Sequence, residues 1–149
     1  MAKYFEDLEV GKILVSPGDR LITREDIIAF ATEWDPQLYH IDEDAARGSP
    51  IGGFCASALH SMAVCQKLAH ETGIFEYLPI IGVGITDLQF PRPVIEGDRV
   101  RGRVTVRELR PSKSQSDRGI VTILVELINQ DDDVVLSYAL TELVRRRLG

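Results

Sequence analysis

The sequence predicts an α+β fold in which one long helix precedes a run of antiparallel strands. Two observations carry this. Between residues 54 and 69 apolar side chains recur at helical spacing. Beyond residue 80 they alternate with polar ones at the two-residue period of a sheet buried on one face. A chain of 149 residues with 44% hydrophobic content suffices for one domain with a substantial core. No linker or low-complexity tract divides it, so residues 1–149 are expected to form a single domain.

The first expected element is a short amphipathic helix. Thr23 can cap it, with Asp26 three residues on completing a shortened capping box. Ile27, Phe30, Ala31 and Trp34 follow the i, i+3, i+4, i+7 rule and predict its buried face. Pro36 disfavours helix at the preceding residue, which places the Asp35 carboxylate where helix gives way to loop. Asp42 begins a second acidic turn of helix, where N-capping is its expected role. Pro50, Gly52 and Gly53 then make an irregular entry to the long helix. Phe54, Ala58, Met62, Cys65 and Ala69 trace one side of it, and Gly73 is its expected C-cap. The helix so read is about 30 Å long.

The rest of the chain reads as extended. Residues 80–90 form one strand candidate, ended by Pro91-Arg92-Pro93 and the turn Glu96-Gly97-Asp98. Val100, Gly102, Val104 and Val106 alternate with Arg101, Arg103, Thr105 and Arg107. Residues 119–128 and 134–144 give two more strands around a polar turn at 129–133, which together predict an antiparallel meander.

Charge and composition exclude several functions. With 17 basic and 23 acidic residues the net charge is -6, which disfavours duplex nucleic acid as a partner. The start, MAKYFEDLEVGK, lacks the apolar core of a signal peptide, and no apolar run reaches bilayer length. A cytoplasmic protein without a membrane partner is expected. Cys55 and Cys65, ten positions apart on one helical pattern, are roughly 15 Å apart and read as reduced thiols. His40, His60 and His70 show no metal-ligand spacing, and the glycines make no nucleotide fingerprint. No metal, flavin or nicotinamide cofactor is expected.

The segment FATEWDPQLYHIDEDAA at residues 30–46, the helix entry GGFCAS and the stretch LQFPRPVIEGDRV at 88–100 together resemble the MaoC-like dehydratase family, which includes the (R)-specific enoyl-CoA hydratases. The resemblance implies a hot-dog fold, a curled antiparallel sheet wrapped around a long central helix, with two such subunits paired as a homodimer or a dimer-based oligomer. It implies an acyl thioester substrate, with coenzyme A as the carrier. It also implies that an aspartate and a histidine five positions later act on water and the α-carbon of a 2-enoyl thioester. Asp35 and His40 have that spacing. The chain departs from the common pattern in carrying Gln37-Leu38 for Asn-Pro, and Ser57-Ala58 for His-Gly at the helix start.

These residues suit the chemistry. Hydration needs water activation, proton delivery to carbon and stabilisation of charge on the carbonyl oxygen. Imidazole exchanges protons near neutrality, and a carboxylate orients water or accepts its proton. The first turn of a helix has free N–H groups, and by the resemblance the backbone amide of Ala58 or Ser57 points at the oxyanion. Gln37 and Gly53 are candidate substrate contacts. Arg110, Lys113 and Arg118, in the polar stretch LRPSKSQSDRG, are candidate contacts to a coenzyme A phosphate. His60 is read as a packing or surface residue and His70 as a complement to the helix C-terminus. The plainer readings of the pair are that Asp35 caps a turn and that His40 satisfies a backbone carbonyl. Thioester hydrolysis, or acyl-ligand binding without catalysis, are the alternative functions.

Overall fold

The computed structural model describes residues 2–77 and 79–148. Its centre is three long antiparallel strands, β4 (Arg99–Pro111), β5 (Arg118–Ile128) and β6 (Val134–Arg145). The alternation read from sequence holds: Val100, Val104 and Val106 of β4 are buried, with Val121, Ile123, Val125 and Leu127 of β5 beside them. Each such side chain contributes about 1.5–3 kcal/mol when it leaves water. Residues 80–90 do form a strand, β3 (Pro79–Gln89), but it does not neighbour β4 as a simple meander would require. It pairs antiparallel with β6, giving the order β4-β5-β6-β3. Two short strands unforeseen in the sequence, β1 (Ile13–Val15) and β2 (Arg20–Leu21), both pair with β4. Three and two residues are too few to display a period.

Helix α1 (Arg24–Trp34) is capped by Thr23, whose hydroxyl accepts from the Asp26 N–H at 3.1 Å. Ile27 and Ala31 are buried as expected. Trp34 is not: at the helix's last residue it stands 64% exposed, one turn past the covered stripe. Two short helices follow, α2 (Leu38–Ile41) and α3 (Glu43–Gly48), the second capped by Asp42, which accepts from the Ala45 N–H.

The long helix α4 (Ala58–Glu71) begins four residues later than its apolar pattern suggested and is about 21 Å long. The reason lies in residues 54–56, which run extended against the segment before β4. Ala56 N–H donates to Val94 O, Glu96 N–H donates to Phe54 O, and Cys55 bridges Ile95. Ser57 then caps the helix by accepting the Leu59 N–H. Phe54 is buried, but from this loop. Along α4 the covered residues are His60, Ser61, Val64, Cys65, Leu68 and Ala69. The helix packs across β4, β5 and β6, and its approach needs Gly102: a Cβ there would lie 2.9 Å from Leu68 Cβ. Gly73, with φ of 86°, turns the chain just beyond the helix. Among the described residues no helix is long and apolar enough to cross a membrane.

Candidate active site

The end of α1 sets Asp35. Its N–H still bonds Ala31 O, but its own φ of -154° and ψ of 72° leave the helix and turn the carboxylate toward the start of α4. One turn of α2 then brings His40 inward, where it is 3% exposed. His40 Nδ1 lies 2.7 Å from Cys55 O. A carbonyl only accepts, so Nδ1 carries a proton, and in the neutral ring Nε2 then keeps the free lone pair. Nε2 is 3.8 Å from Asp35 Oδ2. The plain reading of His40 as a partner for a backbone carbonyl is therefore correct for one nitrogen, and the other faces Asp35.

Both carboxylate oxygens of Asp35 are held. The Ser57 hydroxyl donates to Oδ2 at 2.6 Å, and Gln37 Nε2 donates to Oδ1 at 2.9 Å. These bonds, Ser57's first and Gln37's second, hold the carboxyl below its usual range against the opposing effect of desolvation. The side chain keeps 22% exposure, so solvent and a ligand can reach it. The Tyr39 hydroxyl donates to Gln37 Oε1 at 3.0 Å, and its ring lies 4.2 Å from that of His40. Next to Ser57, the N–H of Ala58 opens α4 and donates to no protein acceptor among the described residues. A small cavity of about 90 Å³ adjoins it, lined by Ala56, Ala58, Ser61, Phe90, Pro93 and Val94 among others.

The sequence-derived residues thus divide. Asp35, Gln37, His40 and Ser57 converge, and the Ala58 amide follows Ser57 directly in the chain. Ser57 converges through its hydroxyl, a role its backbone assignment missed, and Tyr39 and the Cys55 carbonyl were not anticipated. Gly53 lies in the loop before α4, lining a separate charged cleft with Arg24, Glu43, Arg47 and Glu96. Arg110, Lys113 and Arg118 do not join the site within the chain. They sit where β4 turns into β5, roughly 30 Å along β4 from the end beside α4's start. Arg118 is committed to Asp117 at 2.7 Å, and Arg110 lies 3.9 Å from Glu108. A cleft of about 370 Å³ at that far end is lined by Tyr4, Asp117, Arg145, Arg146, Arg147 and Leu148, with Arg146 and Arg147 bonded to Glu6 and Asp7. Among the described residues no group of three or more His, Cys, Asp or Glu is gathered for a metal.

The family model described as "MaoC like domain" matches residues 8–127. This chain belongs to the MaoC-like dehydratase family. An uncharacterized protein of Bacillus subtilis, YdeM, is 31% identical over 95% of this MaoC-like chain and 98% of its own length. Protein MaoC of Klebsiella aerogenes is 31% identical over 70% of the chain, which spans only 31% of that longer protein. Among solved structures, a MaoC-like dehydratase from Rhodospirillum rubrum superposes with a TM-score of 0.88 at 38% identity, covering 98% of this chain and 99% of that one. Two more distant structures share the fold. The R-hydratase PhaJ1 of Pseudomonas aeruginosa has a TM-score of 0.76 at 23% identity, covering 99% and 88% of the two chains. A Mycobacterium tuberculosis protein described as a double hot dog has 0.75 at 20%, and this chain covers 45% of it. The fold of this MaoC-like domain is the hot dog, and the family supports hydratase or dehydratase activity in general.

Proposed function

We propose that this protein catalyses the reversible hydration of a 2-enoyl thioester to a 3-hydroxyacyl thioester, with coenzyme A as the carrier and no required metal, flavin or nicotinamide. The observation that carries the reading is the pairing of a lone-pair nitrogen, His40 Nε2, with a held carboxylate, Asp35 Oδ2, at 3.8 Å. One water at about 2.8 Å from each atom bridges such a gap. As its oxygen bonds the β-carbon, His40 takes the water's proton and Asp35 holds the other hydrogen. Charge moves onto the thioester oxygen, where the free Ala58 N–H donates. The imidazolium then returns the proton to the α-carbon, so that one water has been added and the site is restored. Dehydration runs the same steps backward. Buried, unpaired Cys55 and Cys65 suit a cytoplasmic setting.

The reading includes a homodimer. Strand β3 ends the sheet, and along it and just beyond it Ile81, Val83, Ile85, Leu88 and Phe90 are all exposed. An apolar edge of this length is a template for another strand, and a second copy meets it symmetrically about a twofold. The double hot dog of the Mycobacterium tuberculosis relative carries two such folds in one chain, which supports a paired unit here. Sedimentation should give a dimer that Ile85→Lys weakens; a monomer throughout the active concentration range would remove this part of the reading.

The activity is tested by offering the purified protein a series of 2-enoyl-CoA chains while following enoyl absorbance and free thiol. Loss of absorbance without thiol release is expected. Thiol release would make the protein a thioesterase, and saturable binding without either change would make it an acyl-ligand binder.

A further inference from the structure

We propose that Tyr39 and Gln37 form a positioning relay that holds Asp35 and His40 in a single arrangement, an inference that rests on the hydratase reading for its kinetic arm only. The segment 35–40 is closed on itself. Gln37 N–H donates to Asp35 O at 2.8 Å, and His40 N–H donates to Gln37 O at 2.9 Å. Across this frame the side chains make a second, directed chain from the Tyr39 hydroxyl to Gln37 Oε1 and from Gln37 Nε2 to Asp35 Oδ1.

The direction is set by chemistry. A carboxylate only accepts, so the amide must turn its NH₂ toward Asp35, which leaves the amide oxygen facing away and in need of a donor. Tyr39 is that donor. Its ring meanwhile packs on His40, tilted by 49° at 4.2 Å between centroids. One side chain therefore touches the histidine directly and the aspartate through one amide. Ser57 pins Oδ2, the oxygen nearer His40 Nε2; Gln37 pins Oδ1 and so stops the carboxylate from rotating about that single anchor. Gln37 thus has one amide N–H on Asp35 and its amide oxygen on Tyr39, which ties its side chain to the aspartate.

Both residues are exposed at the surface of the site, so neither is expected to matter much to folding. That separates positioning from structure. Gln37→Met keeps length and removes the hydrogen bond; Tyr39→Phe keeps the ring and removes the donor. Gln37→Met should lower kcat about tenfold with KM within about twofold, the scale of one hydrogen bond to a charged group. Tyr39→Phe should lower it about threefold. Because Gln37 is one of the groups holding the Asp35 carboxyl below its usual range, its loss should raise that pKa. The acid limb of kcat/KM should then move to higher pH. Since both act along one chain, the double variant should be no slower than Gln37→Met alone.

The same shift is readable without turnover, by following the Asp35 side-chain carboxyl in a ¹³C NMR titration. An upward shift in Gln37→Met, smaller in Tyr39→Phe, is the expected result. An unmoved titration in Gln37→Met would overturn the relay. So would parent-like kcat in both variants of a protein that Asp35→Asn inactivates, or fully additive losses in the double variant. A protein that turns over no enoyl thioester in its parent form would instead count against the hydratase reading, and the titration alone would then decide the relay.

Discussion

Two buried histidines, His40 and His60, stand in opposite circumstances. Both are nearly inaccessible, at 3% and 6% exposure. His40 has one nitrogen bound to a carbonyl and the other facing a carboxylate. His60, three positions into α4, lies flat against Phe30 at 4.8 Å, and its Nδ1 has no partner among the described residues. Burial pushes the His60 imidazole below its ordinary pKa; a favourable field from Asp26 opposes this, and Arg20 and His40 add to the depression. Burial alone thus yields a neutral, silent ring. What sets His40 apart, and suits it to the proposed proton transfer, is a carbonyl that fixes one nitrogen and a carboxylate facing the other.

The comparison breaks most sharply under substitution. Asp35→Asn and His40→Ala should each lower turnover about 100-fold or more, whereas His60→Leu should stay within about threefold of the parent. Steady-state rates, with circular dichroism and substrate affinity measured alongside, check this. Equal losses at both histidines would show that the contrast misidentifies the proton carrier. A smaller effect belongs to Ser57, the main group depressing the Asp35 pKa. Ser57→Ala should slow turnover about tenfold and move the acid limb of kcat/KM to higher pH. An acid limb that stays in place would leave Ser57 only its capping of α4.

The smallest effect is in stability. The unfolded chain protonates His60 near its ordinary value of 6.5, while the folded chain resists protonation until lower pH. The folded state then binds fewer protons than the unfolded one, so its stability is complete above about 6.5 and falls as pH drops from there toward the depressed value. Denaturant titrations at several pH values should show that decline, and His60→Leu should remove part of it. At neutral pH the same variant should cost little, since it trades an unpartnered polar atom for an apolar one.

Much of this was legible in the chain beforehand, for identifiable reasons. The alternation in β4 and β5 follows from one-sided burial, which is a local signal. The place of Asp35 at a helix end follows from Pro36. The order of strands did not, because nothing in β3 says that it will skip β4 and pair with β6. The start of α4 was misplaced since Phe54 fits the helical stripe; only the pairing of residues 54–56 with 94–96, distant in sequence, makes that segment extended. In the site, the family resemblance pointed to the Asp35–His40 pair, whereas the Ser57 hydroxyl and Tyr39 gain their meaning from contacts made after folding. Within the chain the basic residues 110, 113 and 118 lie apart from the site because the length of β4 carries them away from it.

The position of β3 also orders assembly in time. Gln89 meets Ser137 and Pro79 meets Val144, so a strand made early has no sheet neighbour in its own chain until β6 has been synthesised. During translation its isoleucines and Val83 must wait, unpaired, through the emergence of β4 and β5. Late pairing of this kind lengthens loop closure, slows folding and leaves a sticky segment open to other nascent chains. The irregularities along β3, with shifts in register near residues 80, 83 and 87 and the left-handed Asp87 at φ of 54°, interrupt that segment and narrow the choice of strands that can pair with it while it waits.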